Sequence, residues 1–114
     1  MKRRVVITGI GAVSPNGIGR ENFWKATKQG QSGVSRISRF DPSGHAVQIA
    51  GEVKGFDESL WVEPKDRPHV SRVVPLGAAA AAESLQDAGL DWKSMSREEQ
   101  RGIGVIVGSG GGSQ

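Results

Sequence analysis

Short apolar runs alternate with glycine-rich breaks along the chain. Val5-Val6-Ile7-Thr8 is a β-branched run between the charges of Lys2-Arg3-Arg4 and the turn Gly9-Ile10-Gly11, the pattern of a strand covered on both faces. Ser14-Pro15-Asn16-Gly17-Ile18-Gly19 is dense in breakers and predicts a loop. Residues 20–29 predict a helix with Phe23, Trp24 and Thr27 on one face and Gly30 at its C′ position. Residues 31–43 read as irregular. An edge strand is expected over 46–53, with Val47, Ile49 and Gly51 on one face and Gln48 and Glu52 on the other. Residues 55–68 read as an exposed polar connection around Trp61, with one helical turn.

The most regular stretch is 70–88. Val70, Val73, Val74, Gly77, Ala78, Ala81, Leu85 and Ala88 keep helical phase and predict the buried stripe of a long helix. Pro75 falls on the opposite side with Arg72 and Ala79, where it is expected to kink the helix and spare the stripe. The Ala78–Ala82 run makes this helix thin enough for a neighbouring backbone to approach closely. Ser96-Arg97-Glu98-Glu99 matches a capping box, and Ile103–Val107 is a second buried-type strand leading into Gly108-Ser109-Gly110-Gly111-Gly112. Two such strands in an α/β protein need cover on both faces, more than the remaining elements supply. The 114 residues are therefore expected to be the N-terminal piece of a larger domain.

Composition narrows the function classes. There is no cysteine, so no disulfide and no thiol nucleophile lies within these residues. The net charge is +3, but the cations are scattered and not interleaved with aromatics, which argues against nucleic-acid binding. No apolar stretch is long enough to span a bilayer, and Met1-Lys2-Arg3-Arg4 lacks a signal core behind it, so a cytoplasmic protein is expected.

Four groups of residues are candidates for chemistry. Gly9-x-Gly11 starts like a dinucleotide fingerprint, but the helix is delayed to about Arg20 and no acidic residue follows a second strand. A turn that needs glycine for tight packing fits better; a small nucleotide-binding module is the alternative. Gly108–Gly112 reads equally as a linker or as a loop approaching a ligand, and no Gly-Lys-Ser/Thr makes it a P-loop. His45 and His69 have no metal-type partner at i+3 or i+4, and no metal or cofactor site is expected. Lys65, Arg67, His69 and Arg72 form a cationic cluster before the long helix, either a solvated face or a dock for an acidic partner.

Five stretches, "RRVVITGIGAVSPNG", "FWKATKQGQSGVSRISRFD", "IAGEV", "PKDRPHVSRVVPLGAAAAAESLQDAGL" and "RGIGVIVGSGGG", occur in this order and resemble the elongating β-ketoacyl-acyl-carrier-protein synthases, the condensing enzymes of fatty-acid and polyketide synthesis. The resemblance covers nearly all of residues 1–114. It implies the N-terminal part of a thiolase-type fold, with mixed five-stranded sheets and sandwiched helices, incomplete in this chain. It implies an acyltransferase working as a homodimer by decarboxylative Claisen condensation of an acyl chain with malonyl-acyl carrier protein. The family's cysteine nucleophile and two histidines fall downstream of these residues, so the 114-residue segment alone is expected to be inactive. By position, Gly108, Ser109, Gly110 and Gly111 match the glycine loop beside the acyl pocket. Gly111 stands where many members carry a branched residue that gates chain length. Lys65 and Arg67, with His69 and Arg72 near them, match the segment that faces the acyl carrier protein; where many members continue with Arg or Lys and Met-Asp, this chain has Pro68-His69-Val70-Ser71. A non-catalytic partner subunit of the same fold, such as a chain-length factor, is the other reading of the resemblance.

Overall fold

The computed structural model describes residues 2–110. Two-residue strands β1 (Val13–Ser14) and β2 (Gly17–Ile18) pair antiparallel, so the breaker cluster is a tight hairpin turning at Pro15-Asn16. Helix α1 (Arg20–Lys28) follows at once, then β3 (Val34–Arg36) and β4 (Ile49–Gly51), which form a second antiparallel ribbon. Two 3-10 turns, Glu58–Leu60 and Arg67–His69, lead into the long helix α2 (Val73–Asp87) and the short helix α3 (Arg97–Arg101).

Local signals for helix ends hold. Gly30 has φ 66° after α1, and Gly89 has the same φ after α2, conformations that glycine adopts without steric cost. At α3, the Ser96 hydroxyl accepts from Glu99 N and the Glu99 carboxylate accepts from Ser96 N, the expected capping box.

The buried faces differ from the periodicity. In α2 the inward residues are Pro75, which is fully buried, and Ala79, whereas Val73, Val74, Gly77 and Ala81 of the expected stripe are exposed. Pro75 is the third residue of the helix, where a backbone N–H has no intrahelical partner, so the ring forfeits no hydrogen bond and packs inward. In α1 the buried residue is Ala26, while Phe23, Trp24 and Thr27 are exposed. This helix lies so close to the hairpin that a Cβ on Gly17 would fall 2.6 Å from Asn22 C and Phe23 Cα. The obstacle is helix backbone, so no side chain, not even a methyl group, fits at Gly17. In the second ribbon the strand β3 lies within the stretch expected to be irregular, and the faces of β4 are reversed. Val47 and Ile49 face solvent and Glu52 is buried, because its carboxylate accepts from Ser38 N, Ser38 Oγ and Arg39 N at 3.0, 2.8 and 3.2 Å.

Neither expected core strand forms a ladder among the described residues. Val5 is 93% exposed and Ile106 99%, and neither run has a sheet partner among the described residues. The molecule is accordingly open. Its radius of gyration is 17.3 Å, against roughly 13 Å for a compact domain of about a hundred residues.

Candidate functional site

The Gly-x-Gly segment sits on α2. A Cβ on Gly9 would meet Ala88 N at 2.8 Å and Ala88 Cβ at 2.9 Å, and one on Gly11 would strike the Ala80 carbonyl and lie 2.9 Å from Ser84 N. Ala80, Ser84 and Ala88 are spaced by four along one helix face, so the glycines and the small helix residues form one close backbone contact. Asp87 accepts from Ile10 N at 3.0 Å and Glu83 from Ala12 N at 2.9 Å. Glu83 also accepts from Arg20 N at 2.8 Å, and Asp87 is ion-paired with the Arg20 guanidinium. Gly19, at the N-cap of α1, provides no side-chain cap, and Glu83 of α2 does that work from across the interface.

This arrangement excludes a phosphate cradle at Gly9–Gly11. The space above the glycines is filled by helix backbone, and the amides a phosphate would need are taken by two carboxylates. The glycines serve packing, as expected, although the partner is the helix and not merely the turn.

The four cations before α2 have different surroundings. Lys65 is exposed and paired with Glu63 at 2.8 Å. Arg67 and His69 are exposed at the two ends of their 3-10 turn. Arg72 is directed inward: Nε donates to Glu58 Oε1 at 2.7 Å and Nη2 to the Val53 carbonyl at 2.7 Å. Asp57 accepts from Ser59 Oγ and Ser59 N, and those bonds, followed by the Arg67 charge, hold its carboxyl below its ordinary value. The segment thus presents Lys65, Arg67 and His69 outward over a base tied by Arg72, Glu58 and Asp57.

Gly108, Ser109 and Gly110 are exposed, and a Cβ on Gly108 or Gly110 would meet nothing within 4 Å. Gly111 lies outside the described residues. His45 is exposed with its ring edge-to-face to Phe40 at 5.6 Å. The described residues contain no group of three or more His, Cys, Asp or Glu that could hold a metal ion, and no helix long and apolar enough to cross a membrane. Glu83, Asp87, Glu58 and Glu52 were not singled out by sequence pattern. The one available signal was Glu83, a lone charge interrupting an alanine run.

A family model described as beta-ketoacyl synthase, N-terminal domain, matches residues 2–114. The tetracenomycin polyketide synthase ketoacyl synthase beta subunit of Streptomyces glaucescens is 40% identical over 108 residues, covering 95% of this chain and 26% of that protein. The 3-oxoacyl-(acyl-carrier-protein) synthase 2 of Vibrio cholerae is 41% identical over 109 residues, covering 96% and 26%. Among solved structures, the ishigamide ketosynthase/chain length factor superposes with a TM-score of 0.71 at 35% identity, covering 83% of this chain and 24% of that one. The chain spans about a quarter of the length of the curated relatives it matches.

Proposed function

Because this chain belongs to the beta-ketoacyl synthase family, we propose that the intact protein is a 3-oxoacyl-acyl-carrier-protein synthase of fatty-acid or polyketide chain elongation. The observation that carries this reading is the family match running through all five sequence stretches from the first strand to the glycine loop. In the reaction, a cysteine supplied outside these residues takes the acyl group from its carrier thioester. Malonyl carrier loses carbon dioxide, and the resulting carbanion attacks the acyl-enzyme carbonyl. The cysteine thiolate leaves, and the product is a 3-oxoacyl thioester on the carrier.

Within this scheme the described residues bind and position. Lys65, Arg67 and His69 form the face for the acidic carrier, with Arg72 behind them. Their common exposure on one short segment supports this assignment. Gly108, Ser109, Gly110 and Gly111 form part of the acyl pocket wall, and Gly111 leaves that pocket open to a bulky or long primer. Val5–Thr8 and Ile103–Val107 are core strands of mixed five-stranded sheets. Helix α2 is sandwiched between layers, a role favoured by its having apolar residues both on its inward face and on the exposed face of Val73 and Val74. The protein is proposed to act as a cytoplasmic homodimer.

The similarity to a ketoacyl synthase beta subunit and to a ketosynthase/chain length factor supports one further reading, a non-catalytic partner subunit of the same fold. Elongation by the purified intact protein separates the two. The synthase converts acyl and malonyl carrier into a 3-oxoacyl carrier unaided, whereas a partner subunit yields product only with a second subunit present. Absence of product under both conditions contradicts the family reading of function.

A further inference from the structure

Arg72 and Glu58 close the base of the segment that carries the exposed cations. Their side chains are 26% and 27% exposed, so the pair is largely withdrawn from solvent. The two residues are 14 positions apart, and Lys65, Arg67 and His69 all lie on the loop between them. The guanidinium also reaches the Val53 carbonyl, fixing the loop to the end of the second ribbon. The geometry points to Arg72 as a positioning residue that, with Glu58, staples this loop so that its cations meet the acyl carrier in one arrangement. The inference rests on the carrier-docking reading above. A loop of this length without its staple would have to be ordered on each encounter, and that entropy is subtracted from binding. The planar fork of arginine satisfies a carboxylate and a carbonyl together, a geometry the single ammonium of lysine does not reproduce.

Glu58→Gln makes the test sharp, because charge complementarity and stapling predict opposite signs. Removing an acidic charge beside a basic dock should lower KM for an acidic carrier if long-range attraction alone matters. The staple predicts that KM for acyl carrier rises about fivefold, as for a lost charge-assisted contact, with kcat held and with turnover of paired acyl- and malonyl-pantetheine thioesters, which need no carrier, unchanged. Arg72→Lys should raise the same KM by a similar factor, and the double variant should be no worse than either single one. Lys65→Glu and Arg67→Glu in the same assay report on the docking reading itself. If these two raise KM and Glu58→Gln does not, the staple is wrong and the dock stands. If none of the four variants changes KM, both are wrong. Equal losses on carrier and pantetheine substrates would assign Arg72 to general stability and overturn the positioning role.

Discussion

Replacing Gly11 with alanine tests the packing account of the Gly-x-Gly segment. The added Cβ would enter the envelope of the Ala80 carbonyl oxygen and lie 2.8 Å from its carbon. Ordinary contact is about 3.4 Å or more, and the obstacle is helix backbone, which has no rotamer to yield. The segment must therefore retreat from α2, which stretches the bonds from Ile10 N to Asp87 at 3.0 Å and from Ala12 N to Glu83 at 2.9 Å. Overpacking of this kind costs about 1–3 kcal/mol, and weakening hydrogen bonds to charged acceptors takes the total toward the upper end. A loss of about 3 kcal/mol lowers a urea midpoint by roughly 1–3 M. Unfolding can be followed by tryptophan fluorescence, since Trp24, Trp61 and Trp92 sample three regions. Gly44→Ala is the control, because Gly44 is exposed and its Cβ meets nothing within 4 Å, and its midpoint should stay put. If Gly11→Ala were as stable as the unsubstituted protein, the close glycine–helix contact would be refuted.

Other outcomes follow from single contacts. Glu83→Ala removes the cap of α1 and the acceptor for Ala12 N and should cost about 1–3 kcal/mol in urea unfolding, with Glu83→Gln costing less because it keeps an acceptor. The Ser38 hydroxyl bond, with the Ser38 and Arg39 amides, holds the Glu52 carboxyl below its ordinary 4.5. A depressed folded-state pKa gives stability that is present above 4.5 and lost as pH falls through the folded value, so Glu52→Gln should flatten the acid limb of a stability–pH curve. If the intact protein is the proposed synthase with Gly111 in its acyl pocket, Gly111→Phe should shift product distribution toward shorter acyl chains; unchanged chain lengths in the product profile would refute that placement.

What the sequence revealed, and what it did not, has a physical pattern. Features set by neighbouring residues were legible: the glycine stops at Gly30 and Gly89, the Ser96–Glu99 capping box, and the span of α2 to within a few residues. Burial was not, because α2 carries small or apolar residues on almost every side and its periodicity cannot say which face meets the hairpin. The periodicity places Pro75 on the outer face as a kink, whereas at the third helical position it forfeits no backbone hydrogen bond and packs inward. The strand β3 is three residues long and leaves no alternation to detect. Glu83, Asp87, Glu52 and Glu58 bind backbone groups or an arginine far along the chain, contacts that no local spacing records. The basic segment was visible as a cluster, but charge counting gave no sign that Arg72 turns inward while Lys65, Arg67 and His69 stay exposed.

Carbon balance in the reaction of the intact protein is the most direct test of the proposed chemistry. With malonyl carrier labelled in its free carboxyl and an unlabelled acyl carrier, labelled carbon dioxide should appear one-to-one with a 3-oxoacyl carrier two carbons longer than the primer. Product retaining the labelled carboxyl, or release of carbon dioxide without a lengthened chain, would contradict a decarboxylative condensing enzyme.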